Sequence, residues 1–189
     1  MDIHYTITFF SEWHCGSGLA SGANLDALVI KDVDGLPYVP GKTVKGLLRE
    51  AIEALNGSDP STADEIFGHT DKDGEEGTTS GHVFFSNAEL PRDVRNKIIA
   101  GDLTRYLYRS AAATAIDEQS GTARDNSLRK METVIPCTLE GEILNIPEHD
   151  IDAVLKGMKY IKRLGQNRNR GLGRCKFEIN KGENRDGNI

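Results

Sequence analysis

An α+β fold with the element order β-α-β-β-α-β is what the sequence predicts, and three observations predict it. Residues 3–10 alternate, with Ile3, Tyr5, Ile7 and Phe9 on one face, as in a half-buried strand. Residues 42–55 carry Val44, Leu47, Leu48, Ala51, Ile52 and Leu55 at helical spacing. A second helical stripe, Ile151, Val154, Leu155, Met158 and Ile161, precedes a closing alternation of Cys175, Phe177 and Ile179.

The remaining elements fall between these. The first strand leads into a glycine-rich loop, His14-Cys15-Gly16-Ser17-Gly18, that extends to Gly22. Residues 26–32 and a turn at Asp34-Gly35 follow. Pro40-Gly41 stops that extended segment, Thr43 is the expected N-cap of the first helix, and Asn56-Gly57 its C-terminal stop. Residues 57–80 are polar and glycine-rich and read as an exposed insertion; 82–86 read as a second strand and 91–100 as a short helix. The stretch 101–130 is poorly periodic, and a third strand is expected from about Glu132 to Ile143. Pro147 opens the last helix with acids in its first turn, Lys159, Lys162 and Arg163 crowd its C-terminal end, and Gly165 stops it. The order is the ferredoxin-like pattern, here modified by long insertions at about 57–80 and 100–130. One domain over 1–180 is expected, with a disordered tail over 181–189. That pattern is shared by many functions and selects none.

Composition removes several classes. Of 189 residues, 38% are hydrophobic and 28% charged. No run approaches the roughly 18 apolar residues of a membrane span. Met1-Asp2-Ile3-His4 lacks a secretory signal's basic start, and Cys15, Cys137 and Cys175 are scattered, as suits reduced thiols in a cytoplasm. The net charge of −6 argues against a polyanionic partner, but its distribution argues for one. Acid concentrates in 58–76, whereas 159–176 carries Lys159, Lys162, Arg163, Arg168, Arg170, Arg174 and Lys176 with no acid.

Two segments offer phosphate chemistry. In Pro40-Gly41-Lys42-Thr43-Val44-Lys45-Gly46-Leu47-Leu48-Arg49, two lysines and a hydroxyl surround a helix N-terminus. A nucleotide P-loop is excluded because its first glycine would fall at Leu36; a solvated lysine-rich helix start stays open. In Gly165-Gln166-Asn167-Arg168-Asn169-Arg170-Gly171-Leu172-Gly173-Arg174, glycines permit close backbone approach and arginines supply bidentate donors. A plain helix-to-strand turn is the alternative there. Asp26 could hold a divalent metal or help activate a ribose hydroxyl, although a lone loop aspartate is more often a turn former. Asp71-Lys72-Asp73-Gly74 fails as a calcium loop, since His69 and Ser80 would be its first and last ligands. Of the five histidines, His14 alone is kept as a candidate acid or base. The aromatic strand signatures of standard RNA-recognition domains are absent.

These pieces, in order, resemble the RAMP superfamily of CRISPR-associated proteins, and most closely the repeated RNA-cleaving backbone subunit of type III CRISPR effectors. The matching segments are the glycine-rich loop 16–22, "LDALVIKD", "GLPYVPGKTVKGLLR", "IFG", "AIDEQSGTA", "ETVIPCTLEGEI" and "RNRGLGRCKFEI". "YVPGKTVKGLLR" resembles the family's Ile-Pro-Gly-Ser-Ser-Xaa-Lys-Gly-Xaa-Xaa-Arg, with Thr43 for the usual serine. Glu118 departs from the thumb motif's Ile-Asp-Arg, and Arg129 stands where phenylalanine is common.

The resemblance implies a filament of copies along a CRISPR guide RNA, alongside other effector subunits and without a membrane. It implies guide contacts from Gly16, Gly18, Lys42, Thr43, Lys45, Arg49, Arg168, Arg170, Gly171 and Gly173. A thumb-like hairpin around Ile116, Asp117 and Thr122 would kink the guide–target duplex. Asp26 would cleave target RNA at each kink with Mg2+ or Mn2+, through attack of a ribose 2′-hydroxyl on the neighbouring phosphate. A binding-only relative and, more remotely, a metal-independent processing endoribonuclease using His14 are the other readings.

Overall fold

The protein is described by a computed structural model covering residues 1–19, 25–57, 59–70, 78–117, 119–125 and 127–180. Gly22, residues 58 and 71–76 of the acidic 58–76 run, Glu118 and the proposed tail 181–189 lie outside the described residues. In chain order the strands are β1 (Ile3–Phe9), β2 (Gly68–Thr70), β3 (Thr78–Ser80), β4 (Phe84–Phe85), β5 (Tyr108–Ala113), β6 (Arg129–Val134), β7 (Thr138–Leu144) and β8 (Cys175–Asn180). The helices are α1 (Gly41–Leu55), α2 (Ser61–Phe67), α3 (Arg92–Ala100) and α4 (Ile151–Tyr160).

The alternation of β1 buries Ile3, Tyr5, Ile7 and Phe9 and leaves His4, Thr6 and Thr8 on the opposite face. Antiparallel pairing then gives a four-stranded sheet in the order β4-β7-β1-β8, with Tyr5 opposite Gly141 on one side and Ile179 on the other. The six elements β1, α1, β4, β7, α4 and β8 are therefore the expected β-α-β-β-α-β unit. Val44, Leu48, Ala51 and Ile52 of α1 and Val154 and Met158 of α4 are buried with the sheet's inner face. Each such aliphatic side chain contributes about 1.5–3 kcal/mol on burial. Gly157 lets the two helices meet: a Cβ there would lie 2.7 Å from Leu48 Cδ1.

Four local expectations are corrected. Helix α1 begins at Gly41 with Pro40 at its N-cap, so Thr43 is not the cap; the Gly41 amide instead donates to Asn87 Oδ1 at 3.0 Å. A Cβ on Gly41 would meet the Phe85 carbonyl at 2.3 Å, so only glycine can start the helix this close to β4. Second, 57–80 is not wholly an exposed insertion: α2 buries Ala63, Ile66 and Phe67, and β2 pairs with β3. Third, the expected strand 132–143 is two strands. Pro136 has no amide to donate, and the chain breaks there between β6 and β7. Fourth, α4 ends at Tyr160 and not at Gly165. Residues after it pair instead with the run into β8: Leu164 N–H donates to Gly173 O, and Cys175 N–H to Lys162 O, both at 2.9 Å.

The poorly periodic 101–130 stretch holds a second layer of structure. β5 and β6 form a two-stranded ribbon, Tyr108 opposite Val134 and Ala113 opposite Arg129. Beyond it, Ile116 bridges Ala123, so the excursion folds back as a hairpin. Ile116 is 58% exposed.

Candidate nucleic-acid interface

Loop 14–19 is held as a pseudo-strand against 27–31. Ser17 N–H donates to Leu28 O at 2.9 Å, and Ile30 N–H to Cys15 O at 2.8 Å. The next residues lie parallel to β6: Asp26 N–H donates to Lys130 O at 2.8 Å, and Glu132 N–H to Ala27 O at 2.9 Å. Asp26 Oδ2 closes this register by accepting the Lys130 amide at 2.7 Å. The Asp26 side chain is exposed at the end of the ribbon that leads into the hairpin, with Oδ1 free of protein donors among the described residues.

The buried Glu132 carboxylate locks the same seam. It accepts the Val29 amide at 3.0 Å and pairs with Lys31 Nζ at 2.8 Å, and that ammonium also lies 3.9 Å from the Tyr108 ring centroid. Burial and the neighbouring Glu132 and Asp32 charges push the Tyr108 phenol up, so it stays a neutral donor to Gly35 O at 2.5 Å. Sequence reasoning missed Glu132. Its only signal was a charge set among the alternating residues of β6.

The loop 165–174 packs against the 12–14 segment and reaches the ribbon, where Asn167 Nδ2 donates to Met131 Sδ at 3.1 Å. Gln166 N–H donates to His14 O at 2.9 Å and Gly173 N–H to Glu12 O at 2.7 Å. Arg168, Asn169 and Arg170 form a 3₁₀ turn between Asn167 and Gly171, both left-handed. Asp26, Lys130, Arg129, Ala111, Gln166, Asn167 and Arg170 thereby line one cavity of about 660 Å³. Asp26 and Arg170, 144 residues apart in the sequence, meet there.

A second cavity, about 330 Å³, joins the start of α1 to the two glycine-rich loops: Gly16, Lys42, Thr43, Gly165, Gln166 and Arg168 line it. Neither Lys42 nor Lys45 has a side-chain partner among the described residues. Other expected contacts are engaged by protein. Arg49 pairs with Asp64 at 2.6 Å and Glu53 at 3.2 Å and donates to the Gly68 carbonyl, fastening α1 to α2. Arg168 Nη2 lies 3.2 Å from Glu50 Oε2. Asp117 accepts the Ser120 amide and hydroxyl and the Gln119 amide within the hairpin, bonds that with Arg124 hold its carboxyl below the usual range; Thr122 Oγ1 lies 2.8 Å from Ser120 Oγ. Gly18 and Gly171 have positive φ and open space around them.

His14, the candidate acid or base, lines the second cavity beside Lys42 and Thr43, and its Nε2 has no hydrogen-bond partner among the described residues. It is fully buried, and its Nδ1 lies 2.6 Å from Glu132 O, which can only accept, so Nδ1 carries the proton. Among the described residues no group of three or more His, Cys, Asp or Glu is placed to hold a metal ion, and no helix is long and apolar enough to cross a membrane.

The fold has relatives among solved structures. A chain in the cryo-EM structure of the type III-B Cmr-beta bound to cognate target RNA matches with a TM-score of 0.76 at 11% identity, covering 95% of this chain and 97% of that one. A chain of the apo-state type III-B Cmr-beta cryo-EM structure matches at 0.71 and 12%, covering 96% and 98%. No curated protein matches. The model of the RAMP superfamily matches residues 6–176, which takes in both cavities, the ribbon and the start of β8: the chain belongs to the RAMP superfamily.

Proposed function

We propose that the protein is a backbone subunit of a type III CRISPR effector complex that binds guide RNA and cleaves the paired target RNA at Asp26. The observation that carries this reading is the placement of an exposed carboxylate between a projecting ribbon and a basic glycine-rich loop. Superfamily membership and the Cmr-beta-like fold support it. Guide phosphates lie along Gly16, Gly18, Lys42, Thr43, Lys45, Arg168, Arg170 and Gly171; Gly173 is left out, because its amide already donates to Glu12 O and a Cβ there would lie 1.8 Å from Leu164 O. Arg49 is left out of that set, because its guanidinium already serves Asp64, Glu53 and Gly68. Contacts of this kind are to backbone, since base pairing carries the sequence information. The thumb around Ile116, Asp117 and Thr122 opens the duplex, and further copies of the chain and other effector subunits continue the assembly in the cytoplasm.

In the reaction a ribose 2′-oxygen attacks the adjacent phosphorus, and the bond to the 5′-oxygen breaks. The products are a 2′,3′-cyclic phosphate and a 5′-hydroxyl whose proton comes from water. Asp26 Oδ1 accepts or orients the 2′-hydroxyl proton while Oδ2 stays on the Lys130 amide, which fixes the carboxylate plane. One free carboxylate oxygen fits Mg2+ or Mn2+, whose other ligands would be phosphate oxygens and water. When bound, such an ion supplies charge neutralisation at the phosphate.

A complex carrying Asp26→Ala should bind guide and target and lose cleavage by at least about 100-fold. Cleavage at the wild-type rate removes Asp26 from the mechanism. A binding-only role is favoured by one observation: the Oδ2 bond to Lys130 N gives Asp26 a structural reason to be there. That role predicts no cutting by the wild-type complex at the phosphates this subunit touches.

A further inference from the structure

The cavity at the start of α1 holds a polar atom that phosphate binding does not explain. His14 lines that cavity, is fully buried, and leaves Nε2 without a hydrogen-bond partner among the described residues. Because the Nδ1 proton goes to the Glu132 carbonyl, Nε2 presents a lone pair and can only accept. A buried acceptor without a donor is costly, and native folds keep few that nothing completes. The other buried side-chain atoms in that condition belong to Tyr5, Trp13 and Asp150, none of which lines this cavity.

The opening in front of Nε2 is made by Gly16. A Cβ there would stand 3.1 Å from His14 Nε2 and 3.8 Å from Gln166 Nε2. Gly16 is not among the glycines with positive φ, so its backbone would accept a side chain; what a side chain would remove is the space over the nitrogen. Lys42 and Thr43 form another wall of the same cavity, and the Lys42 amide, second in α1, has no acceptor among the described residues. The volume of about 330 Å³ has room for one sugar and its phosphate. Donors therefore stand at one wall and a lone acceptor at another. A phosphodiester satisfies only the donors, since it carries no proton. On an RNA strand the donor nearest a phosphate is the 2′-hydroxyl of the ribose that bears it at the 3′ position, and DNA has no such group.

We propose that His14 reads the sugar of the guide: Nε2 accepts the 2′-hydroxyl of one ribose whose 3′-phosphate lies on Lys42 and Thr43. This role rests on the guide-binding reading and deepens it, because phosphate contacts alone do not tell RNA from DNA. Glu132 sets the ring before RNA arrives. Its carbonyl fixes the tautomer, while its carboxylate holds the Val29 amide and Lys31. The loop 165–174 fixes the same residue from the other end, through the Gln166 amide on His14 O at 2.9 Å. An acceptor held so firmly loses little freedom when the hydroxyl binds.

The test measures the affinity of the full chain for one single-stranded RNA sequence in all-ribose and all-2′-fluoro forms. Fluorine keeps the sugar pucker and cannot donate. The chains are wild type, His14→Asn, which keeps an N–H where Nδ1 stands and has no Nε2, and Gly16→Ala, whose methyl covers Nε2. Wild type should prefer ribose by about 3–10-fold, the worth of one hydrogen bond. His14→Asn should bind ribose weaker by about that factor and the fluorinated strand as wild type does, closing a double-mutant cycle. Gly16→Ala should lose the preference too; it lies at an exposed position and decides the matter if His14→Asn does not fold. Equal wild-type affinity for the two strands overturns the role and leaves guide binding standing, as does a preference that either folded variant keeps. Failure of wild type to bind either strand takes down the guide-binding reading, and the role with it. Cleavage of the ribose strand in chelator, abolished by His14→Asn, also overturns it, since His14 would then be a base.

Discussion

Asp150 is 3% exposed, and its Oδ2 has no hydrogen-bond partner among the described residues. Burial pushes its carboxyl up from the ordinary value; His149, with Nε2 3.6 Å from that oxygen, and the more distant His82 pull it down, and Glu65 adds to the rise. A folded value above the unfolded one means that the neutral form is the one the fold favours. Its contribution to stability is present below the unfolded value of 3.8 and is lost as pH rises through the folded one. Asp150→Asn should therefore raise the thermal midpoint at about pH 7 and change it little at about pH 3, where the carboxyl is neutral in both states. Equal effects at both would mean that the carboxyl is not desolvated. The glycines of the basic loop show how far single residues could be read from sequence. Gly165 and Gly173 resemble phosphate-approach glycines, yet Cβ atoms there would lie 2.3 Å from His14 O and 1.8 Å from Leu164 O. Packing demands them, while Gly171, with open space around it, is free to meet a ligand.

At the scale of elements, Arg49 separates binding from architecture. It sits in the segment that resembles the superfamily's basic helix start, but its donors go to Asp64, Glu53 and the Gly68 carbonyl. Arg49→Ala should destabilise the protein by about 1–3 kcal/mol, the cost of losing hydrogen bonds to a charged group, and loosen α2. Guide affinity should stay within about two-fold, as the guanidinium faces no ligand. A large loss of affinity with an unchanged denaturation midpoint would return Arg49 to the interface. The long periodic elements were legible: β1, α1, α3 and β8 lie within a residue or two of where alternation and helical stripes put them. Short elements were not. The spacing of Ala63, Ile66 and Phe67 is helical but spans barely more than one turn, too little to outweigh the polar residues around it. β5 is exposed along most of its length, so it has no alternation to read, and only its pairing with β6 makes it a strand. The site followed the same rule. Lys42, Lys45 and Arg170 stood out in local motifs, whereas the cavity that joins Asp26 to Gln166 and Arg170 is assembled only by tertiary structure.

Across the whole molecule, a net charge of −6 conceals two unlike faces. The outer side of the sheet gathers Glu89, Glu140 and Glu142 around a cavity of about 470 Å³, with His4 Nδ1 3.1 Å from Glu142 Oε1. Lys42 and Arg168 line the cavity where α1, loop 14–19 and loop 165–174 converge, Arg170 lines the one beside Asp26, and Lys45 follows on α1. Average charge does not govern a polyanion's approach; the local field does, and it is screened beyond roughly 8–10 Å at physiological salt. A strand of RNA crossing the basic side therefore feels the unpaired lysines and little of the distant acids. Guide affinity should fall steeply with salt, and Lys42→Ala/Lys45→Ala should reduce the slope of log K against log salt by about 1.4, as two single-strand phosphate contacts are lost. The same pair should leave the thermal midpoint almost unchanged, because neither side chain holds a protein partner among the described residues. A slope unaltered by the double substitution would make this helix start a solvated surface and shift guide recognition to the two glycine-rich loops.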